Sequence, residues 1–414
     1  MKVLWFTNTP SCYILGTNPY NGGGWISSLE EAITEIKEIE LGISFILNNQ
    51  PWKILGDNVT YYPIADKYRG STINKVRAKF ISANKKESAL IKKLLKVVDD
   101  FKPDIIEVFG SEAFFGLISK YVDIPVLLHI QGILTPYANA YLPPFISEWS
   151  YYFSDKNPFN IISRKRSLKT FRRNAKRELK IIKSISNFAG RTIWDYRIIS
   201  LYNSSAHYYE CGEILRNAFY DTGQREIPEK LTIISTISSP LYKGMDLILK
   251  TAQILKDELN YEFEWKIYGN VTFNFVEHVV GIEHKDVNII QCGVATPQEL
   301  KNVILNSTVY VHPSYIDNSP NSLCEAQILG CPVVATNVGG VSSLIENERT
   351  GYLVPANDPY QLAFIIKELY TDVKKNRILG DAAKEVALKR HDKSKIVNNL
   401  ISIYHQIITN NGTL

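Results

Sequence analysis

The stretch Val309–Gly340, VYVHPSYIDNSPNSLCEAQILGCPVVATNVGG, decides the fold. An apolar run from Val309 reads as a strand ending at Pro313. Ser319-Pro320 then suits an N-cap followed by proline at the first helical position, Gly330 suits the helix stop, and Pro332 opens another strand. A short helix set between two such strands directs its N-terminus into the crevice at the strands' carboxyl ends. Its free N–H groups and dipole favour a phosphate there. Asp317 stands in the loop before the helix and Glu325 in its second turn. One carboxylate therefore reaches the crevice from the loop and the other from the helix. Carboxylates accept hydrogen bonds from vicinal hydroxyls, which makes sugars and ribose natural ligands; the plain alternative is two solvated surface acids.

Outward from this stretch the same alternation continues. Leu231–Thr236, Glu264–Tyr268, Val287–Gln291 and Pro332–Thr336 read as strands, and Met245–Leu259 as a helix. In the first half, Val3–Thr7, Ile43–Leu47, Ile105–Phe109 and Val126–His129 are strand candidates, with a helix from about Ile26. Strands alternating with helix-period segments predict a parallel α/β architecture, and 414 residues predict two such domains.

Three further places carry chemistry. Lys243-Gly244 lies between a predicted strand and the Met245 helix, where a lysine at a helix start can neutralise a diphosphate as a point charge. Gly22-Gly23-Gly24 follows the first strand and permits close approach of backbone to ligand. It is not a G-x-G-x-x-G fingerprint, so a dinucleotide site is not indicated. His129 ends a predicted strand, where it can bond a substrate hydroxyl or act on protons, although a satisfied core histidine is the bland reading. His312 also ends a strand and is read mainly as packing support.

Composition excludes several classes. No run reaches the ~18–20 apolar residues of a membrane span, and the N-terminus reads as a buried strand and not a signal peptide. Five scattered cysteines without Cys-x-x-Cys argue against a disulfide framework or zinc cage, so a reduced, cytoplasmic setting is expected. The net charge of +5 divides unequally: residues 1–200 hold 28 Lys and Arg against 18 Asp and Glu, the remainder 19 against 24. Residues 155–183 concentrate eleven basic residues with two acids. That segment is read as a patch for anionic lipid or as a solvated helix face; few aromatics and no recognition motif argue against nucleic acid.

Together these residues resemble the retaining GT-B glycosyltransferases of family 4, also called group 1. The resemblance rests on Lys243-Gly244, on Asp317 and Glu325 with Ala326, on Gly330-x-Pro332-Val-Val-Ala-Thr, on Gly339-Gly340 and on Gly351-Tyr-Leu-Val-Pro. It is strong over residues 231–365 and weaker before them. The wording Asp317-Asn-Ser-Pro-Asn-Ser-Leu is similar to members that build bacterial surface polysaccharides. The resemblance implies two Rossmann-like domains facing a central cleft: residues 1–218 on the acceptor side, 219–393 on the donor side, and a last helix in 394–414 packing back on the first domain. By it, Glu325 holds ribose hydroxyls, Lys243 the diphosphate, and backbone amides at Ser322 and Leu323 the phosphates. Asp317 and His129 contact the transferred sugar, and Gly22, Gly23 and Gly24 border the donor phosphate.

Three departures stand out. The usual first acid is Glu, here Asp317; the usual glycine-rich loop reads Asn318-Ser319-Pro320-Asn321; and the arginine often found five residues before the lysine is Ser238. Arg191 or Arg216 is the expected replacement cation. The implied function is transfer of a hexose-type sugar from a UDP- or GDP-linked donor to a glycan or lipid-linked acceptor, at the inner membrane face. No Asp-x-Asp triplet occurs, so neither metal nor cofactor is expected. A nucleotide-sugar epimerase and a non-catalytic glycan-binding relative are the alternatives. The first would need further catalytic acids, and the second has no need of a diphosphate site.

Overall fold

The computed structural model describes residues 1–13, 24–68, 81–154 and 157–412, so Gly22 and Gly23 lie outside the described residues. The first domain carries β1 (Lys2–Phe6), β2 (Glu40–Ile46), β3 (Ile54–Gly56), β4 (Val59–Ile64), β5 (Ile105–Phe109), β6 (Val126–His129), β7 (Asn187–Gly190) and β8 (His207–Glu210). They form one sheet in the order β3-β4-β2-β1-β5-β6-β7-β8. Every pairing in it is parallel except the edge pair β3–β4. β1 reads as an unbroken apolar run because it lies mid-sheet and is covered on both faces. Val3 and Trp5 enter one core, Leu4 and Phe6 the other.

The second domain carries β9 (Leu231–Thr236), β10 (Phe263–Tyr268), β11 (Ile289–Gly293), β12 (Val309–His312), β13 (Val333–Thr336) and β14 (Tyr352–Val354). These form an all-parallel sheet in the order β11-β10-β9-β12-β13-β14. Sequence order reverses between β9 and β12, and in the first sheet between β1 and β5. Such reversals open a crevice at the carboxyl ends of the strands, where ligands of doubly wound sheets bind. Lys243 follows β9 and Asp317 follows β12, so both emerge at the reversal.

The helix Lys393–Gly412 crosses back to the first domain. Ile396, Leu400, Ile403, Tyr404 and Ile407 recur at helical spacing and are buried against Val3, Trp5 and Ile105. Between domains, Ile146 and Tyr151 of the first half join the core of the second domain, Tyr151 meeting Phe275 edge-on with centroids 5.5 Å apart.

Two local expectations are corrected. Pro320 is itself the N-cap of the helix Asn321–Ile328, in extended conformation and without a side-chain cap, so Ser319 does not cap it. Strands β3, β4, β7, β8 and β14 were not expected; the four residues of β8, HYYE, have no apolar run to announce them. Their pairing to neighbours in the sheet makes them strands.

Candidate active site

The turn after β9 brings Lys243 to Asp317. Gly244 takes φ +75°, and a Cβ there would lie 1.9 Å from the Pro313 carbonyl oxygen, so only glycine lets this turn approach the loop after β12. Lys243 Nζ forms an ion pair with Asp317 Oδ2. His312 Nε2 is 2.8 Å from the same oxygen and 3.0 Å from Ser314 Oγ. The other carboxylate oxygen accepts from Tyr137 Oη at 3.0 Å and from the Asn318 backbone N–H at 3.1 Å. Burial by itself would raise the Asp317 carboxyl; the adjacent Lys243 charge and the His312 hydrogen bond hold it well below the usual carboxylate range. Burial would likewise depress Lys243, and Asp317 reverses that, leaving the ammonium raised. His312 is lowered, mainly by burial, and is thus a neutral donor to Asp317. It does more than support packing: it orients a site carboxylate.

Gly339 closes the loop from the other side. It has φ +53°, and a Cβ would fall 1.9 Å from the Asp317 carbonyl oxygen. The uncapped helix Asn321–Ile328 starts beside this cluster, and Ser322 and Leu323 stand in its first turn as expected. Glu325, buried one turn on, accepts a two-pronged contact from Arg216, Nε at 2.6 Å and Nη2 at 2.7 Å. Burial raises the Glu325 carboxyl and Arg216 opposes it. Gly24, at the start of the helix Gly24–Thr34, leaves room for the Arg216 stem, since a Cβ there would lie 2.8 Å from Arg216 Cδ. Arg191, the other cation candidate, is buried against Glu213, with its guanidinium 5.8 Å from the Trp25 ring. Both arginines therefore hold carboxylates in this structure.

On the first domain, His129 is buried between Phe109 and Trp25, with ring centroids at 5.5 Å and 5.6 Å. Its Nδ1 is 2.8 Å from Glu107 Oε1, and its Nε2 is buried without a hydrogen-bond partner among the described residues. Four residues that the structure brings to these groups were not singled out as candidates from the sequence. Glu107 sits inside a buried strand, where a carboxylate reads as an exception. Tyr137 reaches Asp317 across 180 positions. Asn318 stands where glycine was expected and bonds the first domain. Glu112 follows β5 and accepts from Gly132 N–H at 3.1 Å. Its other oxygen is buried without a partner among the described residues, and burial, with Glu178 nearby, pushes the carboxyl up to about 7.

Comparison with known proteins places this geometry. Residues 221–386, which hold Lys243, Asp317 and Glu325, match the profile of the family described as Glycosyl transferases group 1. Over 146 residues the chain is 34% identical to the D-inositol 3-phosphate glycosyltransferase of Paenarthrobacter aurescens. That match spans 34% of this chain and only 36% of the relative's length. The sucrose-phosphate synthase of Thermosynechococcus elongatus superposes with a TM-score of 0.73 at 14% identity over 99% of both chains. Anabaena HepE, solved in complex with UDP, superposes with a TM-score of 0.66 at 13% identity, over 98% of this chain and 100% of that one. Likeness at such identity carries the fold: the chain has the GT-B architecture, two Rossmann-like domains about a cleft with the last helix returning to the first.

Proposed function

We propose that the chain is a retaining glycosyltransferase that moves a hexose-type sugar from a UDP- or GDP-linked donor to a glycan or lipid-linked glycan acceptor in cell-surface polysaccharide synthesis. The observation that carries this reading is the buried Lys243–Asp317 pair at the reversal point of the second sheet, beside an uncapped helix N-terminus. A cation and free N–H groups at one point suit a diphosphate, and a carboxylate beside them suits the hydroxyls of an attached sugar. The same group-1 profile covers these residues, and the HepE relative holds UDP.

As the glycosidic bond breaks, negative charge develops on the leaving diphosphate. Lys243 and the first-turn amides of Asn321–Ile328 stabilise it in place, an effect of on the order of 3 kcal/mol per donor. Because fixed cationic and dipolar groups meet this charge, turnover is expected without metal. A sugar hydroxyl that reaches Asp317 Oδ1 takes the place of the Tyr137 hydroxyl, which couples the donor to the facing domain. A glycan-binding protein would gain nothing from a buried lysine paired in this way.

The direct test is thermal-shift titration with UDP, GDP, ADP and CDP, with and without EDTA. One nucleotide should stabilise the protein by about 2.7 kcal/mol at a hundred times its Kd, independently of EDTA, and Glu325→Ala should abolish the shift. Silence with all four nucleotides would remove the donor site.

The proposal extends to the membrane. The apolar residues Leu168 and Ile182 of the basic segment are buried, so they cannot meet lipid. The exposed apolar groups lie instead around the start of the helix Pro158–Ile182: Trp149 (72% exposed), Phe159 (79%), Phe153 and Ile162. Lys165, Arg166, Lys169, Arg173 and Lys176 are exposed along the same helix. Aromatic anchors with basic residues suit an anionic bilayer at about 1 kcal/mol per charge near the surface. Co-sedimentation with phosphatidylglycerol vesicles should be salt-sensitive and fall at least ~10-fold in Trp149→Ser/Phe159→Ser. Equal binding to zwitterionic vesicles would refute the assignment. Among the described residues no helix is long and apolar enough to cross a membrane.

A further inference from the structure

Resting on the transferase reading, we infer that Glu107 and Tyr404 are positioning residues that hold His129 as the Nδ1–H tautomer and present its bare Nε2 as an acceptor for a hydroxyl of the transferred sugar. The argument follows from which groups can donate. Trp5 Nε1 is donor-only, and it lies 3.1 Å from the Tyr404 oxygen. Tyr404 must then turn its own hydrogen toward Glu107 Oε2, with which it is hydrogen-bonded. An ionised carboxylate only accepts, so at 2.8 Å the remaining oxygen, Oε1, takes a hydrogen from His129 Nδ1. For a neutral imidazole every hydrogen in the row is thereby assigned, and Nε2 carries the lone pair and has no hydrogen-bond partner among the described residues.

All four side chains are within 1% of complete burial, so water does not scramble the order. Burial and Glu107 keep the Tyr404 hydroxyl well above its ordinary value, so it stays a donor at any working pH. Phe109 stacks on the imidazole with 22° between planes and Trp25 meets it edge-on, which restricts ring rotation. Tyr404 belongs to the helix that returns from the second domain. The last helix of the chain therefore anchors the carboxylate that sets the tautomer of a residue in the first domain.

Glu107→Gln is the informative variant. Tyr404 still donates, so it fixes the amide oxygen on its own side and turns the NH2 toward His129 Nδ1. That forces the Nε2–H tautomer. Turnover should fall by roughly 10²–10⁴-fold, the range of a wrong-tautomer histidine, while UDP affinity stays within about twofold. In Glu107→Gln/Tyr404→Phe the amide is free to rotate its oxygen to His129, and turnover should recover by at least ~10-fold over Glu107→Gln. Tyr404→Phe keeps the ring and removes only the hydroxyl; its melting temperature shows whether that loss is tolerated, and with Glu107 intact His129 should still carry its hydrogen on Nδ1. Nitrogen-15 spectra of His129 should show protonated Nδ1 in the wild type and protonated Nε2 in Glu107→Gln. Protonated Nε2 in the wild type, unchanged turnover in Glu107→Gln, or no recovery in the double variant would overturn the inference. The spectra do not require sugar transfer, so its failure is separable from failure of the transferase reading, which would appear as no nucleotide binding by the wild type.

Discussion

Lys243→Met is expected to lower sugar transfer by about 10²–10³-fold, the loss that follows removal of one fixed donor to a developing oxyanion. It should also destabilise the protein, because Asp317 stays buried without its cation. Breaking a buried pair from one side costs about 3–5 kcal/mol. The pH dependence should change sign. In the wild type the folded Asp317 carboxyl lies below its ordinary value, so it contributes stability above that ordinary value, lost as pH falls through the folded one. Without Lys243, burial dominates and raises the carboxyl. Its contribution is then present at acid pH and lost as pH rises through the new folded value. Lys243→Met/Asp317→Asn removes the stranded charge and should restore the melting temperature but not turnover. Retention of more than about a tenth of wild-type turnover by Lys243→Met would refute the role assigned to the ammonium.

Asn318→Ala should open the cleft. The Asn318 side chain is fully buried and bonds the first domain three times: Nδ2 donates to Gln131 O at 2.9 Å and to Asp195 Oδ2 at 3.1 Å, and Oδ1 accepts from Thr192 Oγ1 at 2.6 Å. Thr192 and Asp195 are the two halves of the capping box that starts the helix Ile193–Tyr202. The clasp therefore grips a rigid point of the facing domain, and the Ile193 N–H, bonded to Ser343 Oγ at 3.2 Å, reinforces it. Each buried group left unpaired costs about 1–3 kcal/mol, so the closed arrangement should lose roughly 10²-fold or more in population. Small-angle scattering should show a larger radius of gyration, and acceptor KM should rise more than kcat falls. Unchanged scattering would mean that Asn318 is not what holds the domains together.

Asn318 also marks how far the chain could be read. That the loop after Asp317 departs from glycine is visible in the letters; why an asparagine serves there is not, because its partners lie 123–187 positions away. The same division runs through the site. Lys243, Asp317 and Glu325 were legible because each stands at a local transition, strand to turn or loop to helix, that leaves a pattern within a few residues. Their surroundings were not. Arg216, read as a phosphate cation, spans 109 positions to clamp Glu325, and His312, read as packing, bonds Asp317 from five positions away.

What the sequence by itself determined is the alternation of strands and helices, the two α/β domains and the position of the loops proposed to hold a phosphate and a sugar. These follow from hydrophobic period, glycine and proline placement and helix capping, all of which act over a turn or two of chain. Only the tertiary structure decided which polar group meets which: Lys243 with Asp317, Arg216 with Glu325, Tyr404 with Glu107. The physical reason is that a buried polar group must find a partner wherever the fold supplies one. Position in three dimensions, across as many as 297 residues for Tyr404 and Glu107, selects that partner.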